Sequence, residues 1–309
     1  MIYTCTLNPA VDKIAHVDSI QLNQINRLLQ VESDAGGKGI NVSRDIKILN
    51  QHSIAVGFLG GSAGNIVEML LKRENIDTHI IDIIGNTRTN LKVIDENGIS
   101  EFNEEGPFIL NDEMEALLEY FRAQLDRNSI LVISGSLPKG CSFSTYKTLC
   151  EIAHDNKAKV FLDTSMKYIS ETLKASPEYI KMSAKDLAHY NHIDAELTES
   201  EIKTMGREIL DQGCQALCIT TDGKGLYYLT KDKMLHLEAI DLSVKSRIGA
   251  GDGFVAGFVV GLDLKASEED ALKLGGACYA AASQRINAHP KSLDEVTSFL
   301  EKMVITEIE

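Results

Sequence analysis

Residues 246–258 read Ser-Arg-Ile-Gly-Ala-Gly-Asp-Gly-Phe-Val-Ala-Gly-Phe, a glycine turn that runs directly into an apolar segment rich in small residues. Gly249 and Gly251 permit backbone dihedrals closed to other residues and allow a ligand to approach the main chain. The first amides of the following helix lack partners within it, and the helix dipole adds partial positive charge there. The stretch therefore predicts an anion-binding site.

Asp252 stands at the start of this predicted helix, where its carboxylate can accept a proton from an alcohol. An anion site beside a base is what phosphoryl transfer to a hydroxyl requires, because that reaction depends on positioning and charge stabilisation. Helix capping is an alternative explanation of the same residue, since Asp is a preferred N-cap. The stretch alone leaves both explanations open.

A second glycine-rich stretch, Asp-Ala-Gly-Gly-Lys-Gly-Ile-Asn-Val-Ser at 34–43, precedes a helix predicted from Asn41 to about Leu49. Its glycines and Lys38 bring bare backbone and a cation close to a ligand, and a helix N-terminus favours anions. The spacing GxxxxGK[ST] of a Walker A loop is absent from the sequence. The stretch indicates a ligand site of another kind.

Alternating β units and helices from residue 111 onward predict a mostly parallel sheet covered by helices on both faces. Asp12 follows the first strand, at the end where open α/β sheets bind ligands. Within the helices we expect Ile66, Met69 and Leu70 to face inward, and Asp112 to cap a helix ending at Leu125.

Residues 13–33 read as two extended arms, and residues 87–103 read as a hairpin around Asp95-Glu-Asn-Gly98. Together they predict a small antiparallel sheet inserted into the βα series. Alternation puts Arg88, Asn90 and Lys92 on one face, which suits an anionic sugar. An exposed, solvated face of a two-sided sheet is the other explanation.

The 309-residue chain has a formal net charge of −14 and a pI of about 5.1, which argues against nucleic acid as a partner. Phosphate ligands would need a local basic pocket. The sequence contains no apolar run of membrane-spanning length and no signal-peptide pattern, so we expect a cytoplasmic protein without membrane attachment. Its six cysteines include no CxxC pair and are interpreted as reduced, mostly buried thiols.

These motifs together resemble the ribokinase-like (PfkB) sugar kinases, in particular the branch of 1-phosphofructokinase, tagatose-6-phosphate kinase and the minor 6-phosphofructokinase. Five stretches in the family's order carry the resemblance: 6–12 (TLNPAVD), 35–43 (AGGKGINVS), 87–88 (TR), 134–138 (SGSLP) and 249–252 (GAGD). The resemblance implies one three-layer α/β/α kinase domain over residues 1–309. It also implies a small inserted β lid, with strands from about 12–33 and 86–107.

The resemblance also implies roles for individual residues. Asp252 matches the catalytic base, and the residues before it match the anion hole: Gly249, Ala250 and Gly251. The residues that match sugar-contacting positions are Asp12, Gly37, Lys38 and Asn41. The residues that match positions near the substrate phosphate are Arg88 and Ser136. Lys92 and Arg27 are further candidates for binding the substrate phosphate. Residues matching the nucleotide and its magnesium–phosphate cluster are Ser183, Lys185, Thr220, Gly223 and Gly225, with Asp186 as the metal candidate.

Some positions depart from the family pattern. Lys181–Asp186 (KMSAKD) replaces the usual Lys-Pro-Asn-x-x-Glu, so shorter side chains stand where Asn and Glu help to place magnesium. Asp222 and Tyr279 replace a glycine and a small residue near the nucleotide, and Gly253 replaces a Ser, Thr or Ala. These departures leave the phosphate donor and the turnover rate open.

The resemblance implies an ATP- and Mg²⁺-dependent kinase of a ketohexose monophosphate that yields a ketohexose bisphosphate. Fructose 1-phosphate, fructose 6-phosphate and tagatose 6-phosphate all fit. The inserted arms would close over the sugar and would pair two copies of the chain as a homodimer. Two other functions stay open: a kinase of an unphosphorylated sugar or nucleoside, and a non-catalytic sugar-phosphate sensor on the same fold.

Overall fold

A computed structural model of the chain describes residues 1–242, 244–246, 249–285 and 289–308, so Arg247 and Ile248 of the glycine turn lie outside the described residues. The strands are β1 (Ile2–Thr6), β2 (Ala10–His16), β3 (Gln30–Gly36), β4 (Ser53–Leu59), β5 (Asp77–Asp82), β6 (Arg88–Asp95), β7 (Gly98–Asn103), β8 (Ile130–Gly135), β9 (Lys159–Thr164), β10 (Tyr179–Ser183), β11 (Ala216–Thr220), β12 (Leu226–Leu229), β13 (Met234–Leu237) and β14 (Ile305–Ile308).

The α-helices in the described residues are α1 (Lys38–Ile48), α2 (Gly61–Arg73), α3 (Asn111–Gln124), α4 (Thr145–Asp155), α5 (Met166–Thr172), α6 (Ala184–Tyr190), α7 (Glu199–Asp211), α8 (Ala250–Asp263), α9 (Glu268–Ser283) and α10 (Leu293–Leu300). A short 3₁₀ helix, Leu173–Ala175, follows α5. No helix within the described ranges is both apolar enough and long enough to cross a bilayer.

The large sheet has the strand order β14-β13-β12-β11-β10-β9-β8-β1-β4-β5. The strands from β11 to β5 pair in parallel, and β12, β13 and β14 add antiparallel pairs at one edge. Parallel strands end at a common edge, so the segments after β1, β8, β9, β10 and β11 meet there. That edge is where open α/β sheets bind ligands.

Apolar cores lie on both faces of this sheet, as its near-continuous apolar strands require. One core joins the sheet to α3, α4, α5, α6 and α7, and the other joins it to α1, α8, α9 and α10. The resulting three-layer α/β/α arrangement confirms the predicted fold class.

Helix α8 is almost completely buried, and glycines let it approach α9 closely. A Cβ at Gly257 would lie 2.5 Å from the Leu274 carbonyl oxygen, and one at Gly261 would lie 2.6 Å from Cα of Ala271. Because a side chain at either position would force the helices apart, the four-residue glycine spacing fixes α8 against α9. The position of Asp252 in the first turn of α8 is fixed with it.

A second, four-stranded sheet has the order β3-β2-β6-β7 and is called the small sheet below. Its outer pairs are antiparallel, as expected, whereas its central pair β2–β6 is parallel. Helix α2 packs against this sheet through a third apolar cluster that includes Val11, Ala35, Val67 and Leu71.

Several local predictions are wrong. Ile66 and Met69 are 36% and 44% exposed, and α2 buries Gly64, Val67 and Leu71 instead. Asp112 lies in the first turn of α3, whose N-cap is Leu110. Four elements have no counterpart in the prediction: α5, α6, β13 and β14.

Candidate active site

Asp252 is buried at the third position of α8, so it does not cap the helix. The N-cap is Gly249, whose φ of 81° is left-handed and favours glycine. The Asp252 and Gly253 amides donate to the Gly249 carbonyl oxygen at 2.9 and 3.1 Å. The earlier amides of the turn, at Ala250 and Gly251, precede the first such bond, and free amides at a helix N-terminus favour anions.

The environment of Asp252 suits a proton acceptor. Burial raises its pKa to about 6, and the charge of Lys38 and a hydrogen bond from Asn41 oppose that rise. The Asn41 amide Nδ2 lies 2.8 Å from Oδ2 of Asp252. A base with a pKa just below neutrality is ionised at pH 7 yet still takes a proton readily.

A second carboxylate, Asp163 at the end of β9, is buried between two lysines. Its Oδ1 accepts from Nζ of Lys38 at 3.2 Å and from Nζ of Lys181 at 3.4 Å. Burial alone would raise the Asp163 pKa, but the two ammonium groups outweigh it and hold the pKa below its ordinary value. The Asp163 charge in turn raises the pKa of Lys38.

Sequence reasoning did not select Asp163 or Lys181 as site residues. The available signal was position: Asp163 lies at the end of a buried strand, and Lys181 is the one charged residue of β10. Lys181 also lies against the predicted anion site, because a Cβ on Gly251 would be 2.5 Å from its Nζ. The glycine at 251 therefore gives this ammonium access to the helix N-terminus.

A cavity of about 650 Å³ lies between the small sheet and the edge of the large sheet. It brings together all the predicted sugar- and phosphate-contacting residues, Asp12, Gly37, Lys38, Asn41, Arg88 and Ser136, with Gly249, Gly251, Asp252, Lys92 and Asp186. Oδ1 of Asp12 accepts from Asn90 Nδ2 at 2.8 Å, and burial raises the Asp12 pKa. A Cβ on Gly36 would collide with the Asp12 carboxylate.

Arg88 borders this cavity but is engaged with backbone. Its Nε and Nη2 donate to the Asn8 carbonyl oxygen at 3.2 and 2.9 Å, and its Nη1 donates to that of Glu104 at 3.2 Å. Ser136 Oγ accepts from Asn8 Nδ2 at 3.3 Å. Lys92 lies 3.6 Å from Glu101. Arg27 does not line this cavity.

The predicted donor-site residues border two further cavities. One, of about 890 Å³, is lined by Ser183, Lys185 and Thr220, and also by Asp222. The other, of about 430 Å³, is lined by Thr220, Gly223 and Gly225. Tyr279 borders both, so the side chain that departs from the family pattern stands between them.

Asp186, the predicted metal residue, is the third residue of α6 and forms the capping box of that helix with Ser183, its N-cap. Its Oδ2 accepts from the Ser183 amide at 3.0 Å and from Ser183 Oγ at 2.6 Å. The described residues contain no cluster of three or more potential metal ligands. Mg²⁺ commonly binds through one or two carboxylates plus substrate phosphates and water. Asp186 and the unpartnered, buried Oδ2 of Asp163 border one cavity and fit that pattern.

Lys181 and Gly251 line both the 650 Å³ cavity and the 890 Å³ cavity, so the two cavities meet at the N-terminus of α8. The buried Asp252 lines the 650 Å³ cavity and is not among the residues that line the 890 Å³ cavity. The arrangement can hold an alcohol on one side of the anion site and a phosphate donor on the other.

Comparisons with known proteins identify the family of the chain. Residues 6–295 match the pfkB family carbohydrate kinases. The chain is 32% identical over 277 residues to 1-phosphofructokinase of Bacillus subtilis (strain 168), covering 89% of this chain and 90% of the relative. It is 33% identical over 299 residues to D-tagatose-1-phosphate kinase of Bacillus licheniformis, covering 96% and 95%.

Among solved structures, phosphofructokinase-2 from Escherichia coli in complex with substrates and products superposes with a TM-score of 0.90. That structure is 26% identical, and the similarity covers 97% of this chain and 98% of the other. The ribokinase-like fold is thereby confirmed over nearly the full length of the chain. The chain belongs to the pfkB family of carbohydrate kinases.

Proposed function

We propose that this chain transfers the γ-phosphoryl group of ATP to a hydroxyl of a ketohexose monophosphate, giving ADP and a ketohexose bisphosphate. The supporting observation is the meeting of two cavities at the start of α8, where they share Lys181 and Gly251. One of these cavities contains the buried carboxylate of Asp252.

In this proposal Asp252 takes the proton of the acceptor hydroxyl while the oxygen of that hydroxyl forms a bond to the γ-phosphorus. The bond from that phosphorus to the β–γ bridging oxygen breaks, and ADP leaves with the electron pair. The amides of Gly249, Ala250 and Gly251 hold the charge on the transferred group, which is the main contribution a protein makes to this reaction. Lys181, beside Gly251, adds a positive charge at the same place.

The acceptor would lie over Asp12, whose carboxylate accepts hydrogen bonds from sugar hydroxyls. Arg88 and Ser136 would bind its phosphate, with Lys38, Gly37 and Asn41 against the sugar. Guanidinium groups pair well with phosphate oxygens. Both curated relatives described above are named for 1-phosphate substrates, so a ketohexose 1-phosphate is the preferred acceptor, ahead of fructose 6-phosphate and tagatose 6-phosphate.

On the donor side, the nucleotide would occupy the cavities lined by Thr220, Gly223 and Gly225, with Ser183 and Lys185 toward its phosphates. Mg²⁺ would be held through Asp186 and the free oxygen of Asp163, and when bound it neutralises charge on the donor phosphates. Both carboxylates line the acceptor cavity and offer the oxygen ligands that Mg²⁺ prefers.

The chain would form one kinase domain in which the small sheet acts as a lid that excludes water from the acceptor. On the face opposite Asp12, this sheet exposes apolar side chains that include Val31 on β3 and Phe102 on β7. Large exposed apolar patches favour protein association. We therefore propose a homodimer formed through the small sheet. A cytoplasmic location stays a prediction, favoured by six unpaired cysteines.

A non-catalytic sugar-phosphate sensor is the second candidate, because Oδ2 of Asp186 is engaged with Ser183, the N-cap of α6, and Tyr279 borders both donor cavities. An ADP-release assay with Mg²⁺ and ATP tests both candidates. The acceptors to compare are fructose 1-phosphate, tagatose 1-phosphate, fructose 6-phosphate, tagatose 6-phosphate, the free ketoses and a nucleoside. Turnover of one phosphate ester supports the proposal, a preferred free sugar or nucleoside contradicts it, and binding without turnover favours the sensor.

A further inference from the structure

A buried histidine–aspartate pair lies beside the acceptor cavity, outside the residues used above. Nδ1 of His289 is 2.8 Å from Oδ1 of Asp45, which is fully buried in α1. His289 follows α9 in sequence and lines the same cavity as Asp12 and Asp252. The pair therefore joins α1 to a distant segment at the edge of the site.

The buried carboxylate of Asp45 is unfavourable for the free energy of folding. Its second oxygen, Oδ2, is buried without a hydrogen-bond partner, and burial raises the pKa of the carboxyl. Burying a charged pair is commonly less stabilising than packing apolar groups of similar size, so stability does not explain it. Perturbed titratable groups at a cavity are instead a signature of function.

The departure at Gly253 has a physical reason in this pair. A Cβ at position 253 would lie 3.3 Å from Oδ2 of Asp45 and 3.2 Å from the Cys278 carbonyl oxygen. Both distances are tighter than ordinary van der Waals contact. Glycine next to the catalytic candidate Asp252 thus provides the room that the Asp45 carboxylate occupies.

The place of His289 relative to the sugar can be read from the small sheet. Asp12 on β2 pairs with Asp34 on β3 and with Asn90 on β6. Arg88 and Lys92 come from β6. His289 lines the cavity together with Asp34 of β3, and Asp34 pairs with Arg44, the residue before Asp45 in α1. These contacts associate His289 with the β3 edge of the small sheet.

The contact with Asp45 leaves Nε2 as the ring nitrogen that can face a ligand, because the partner of one ring nitrogen determines the role of the other. We propose that His289, oriented by Asp45, is a further binding residue for the acceptor sugar and donates a hydrogen bond from Nε2 to a sugar oxygen on the β3 side of the cavity. This inference rests on the function proposed above.

The charges around His289 favour the donating form. Burial lowers its pKa, but the hydrogen bond to Asp45 and that carboxylate's charge outweigh it and raise the pKa above its ordinary value. The other charged groups that face it are Arg44 of α1, which opposes the rise, and Asp34 of β3, which supports it. An imidazolium has an N–H group at both ring nitrogens, so it can donate one hydrogen bond to Asp45 and a second to a sugar oxygen.

The test compares His289→Asn with the wild-type protein. The Asn amide can replace Nδ1 toward Asp45 but has no group in place of Nε2. We expect the calorimetric Kd for fructose 1-phosphate or tagatose 1-phosphate, and the KM for the same ester, to rise about tenfold. A tenfold rise corresponds to the loss of one hydrogen bond from a charged donor. The KM for ATP and the thermal midpoint should stay at wild-type values.

His154→Asn is the matched control, because His154 also pairs with a carboxylate, Glu178, at 3.3 Å on the other side of the sheet. An unchanged Kd in His289→Asn, or equal losses for ATP and sugar phosphate with a lowered thermal midpoint, would overturn the inference. If the wild-type protein binds sugar phosphate without turning it over, the kinase proposal fails while the Kd comparison still decides the role of His289. If it binds none, both are wrong.

Discussion

The side-chain amide of Asn41 donates a 2.8 Å hydrogen bond to Oδ2 of Asp252 across 211 positions of sequence. Asn41 lies in the first turn of α1, and Asp252 lies in the first turn of α8. The two glycine-rich stretches therefore meet at one carboxylate. The bond stabilises the ionised form of Asp252 and opposes the pKa rise that burial causes.

Removing this bond in Asn41→Ala should raise the pKa of Asp252 further above about 6. Because the base must be ionised, the acidic limb of the kcat/KM profile should move upward by about one pH unit, the effect of losing one charged hydrogen bond. The profile is measured from pH 5 to 9 with one sugar phosphate. Asn156→Ala, at the end of α4, is the control. An unmoved limb would contradict the role of Asp252.

Replacing the carboxylate itself tests the base directly. Asp252→Asn keeps the shape of the side chain but cannot take a proton, so kcat should fall by roughly a hundredfold or more, as for loss of a general base. Sugar-phosphate binding by calorimetry should persist. Asp232→Asn, in the exposed turn between β12 and β13, is the matched control. Turnover close to wild type would rule Asp252 out as the base.

Gly251→Ala tests the shared point of the two cavities. An added Cβ would lie 2.5 Å from Nζ of Lys181, so the ammonium must move away from the anion site. Alanine is about 1 kcal/mol more favourable than glycine inside a helix, so folding should not suffer. We expect kcat/KM to fall tenfold or more with an unchanged or higher thermal midpoint. Full activity in this variant would show that Lys181 does not act at this position.

The outline of the fold was predictable because repeated βα units and two Gly-rich turns are local patterns. Asp252 could be selected for the same reason, since it stands beside glycines at a helix start, whereas Asn41 could be selected through the family resemblance. The roles of Asp163 and Lys181 depend on the strand order β8-β9-β10, which sequence alone does not determine. Nothing in the sequence near Asp45 indicates its partner His289, 244 positions away.

The wrong local predictions have a related cause. Helix periodicity in α2 allowed Ile66 and Met69 to face inward, but the small sheet selects the Val67 and Leu71 side. The short strands β13 and β14 gain their stability by extending an existing sheet edge, so their own sequences carry little signal. Tertiary context decides such elements.

Arg88→Ala should raise the KM for the sugar phosphate, with a smaller effect on the KM for ATP. Arg88 also holds the carbonyl groups of Asn8 and Glu104, so Arg88→Lys separates charge from the planar fork. We expect Lys to recover only part of the loss. Arg73→Ala, at the end of α2, is the surface control. A KM change no larger than that of the control would place the phosphate site elsewhere.

The proposed homodimer can be tested on the segment that joins β2 to β3. Leu22 and Ile25 are 85% and 87% exposed there, and Phe102 on β7 is 59% exposed. Covering such exposed apolar side chains with a partner is favourable, by about 25 cal/mol for each Å² of apolar surface removed from water. If two small sheets pack together, Phe102→Glu and Ile25→Glu would bury a charge in the interface, which is strongly unfavourable.

Both variants should therefore sediment as monomers at concentrations where the wild-type chain sediments as a dimer. Phe143→Glu is the matched control, because Phe143 is 61% exposed outside the small sheet and should leave the dimer intact. Loss of the lid contacts should also raise the KM for the sugar phosphate. A monomeric wild-type protein, or a dimer that only Phe143→Glu dissociates, would move the interface away from the small sheet.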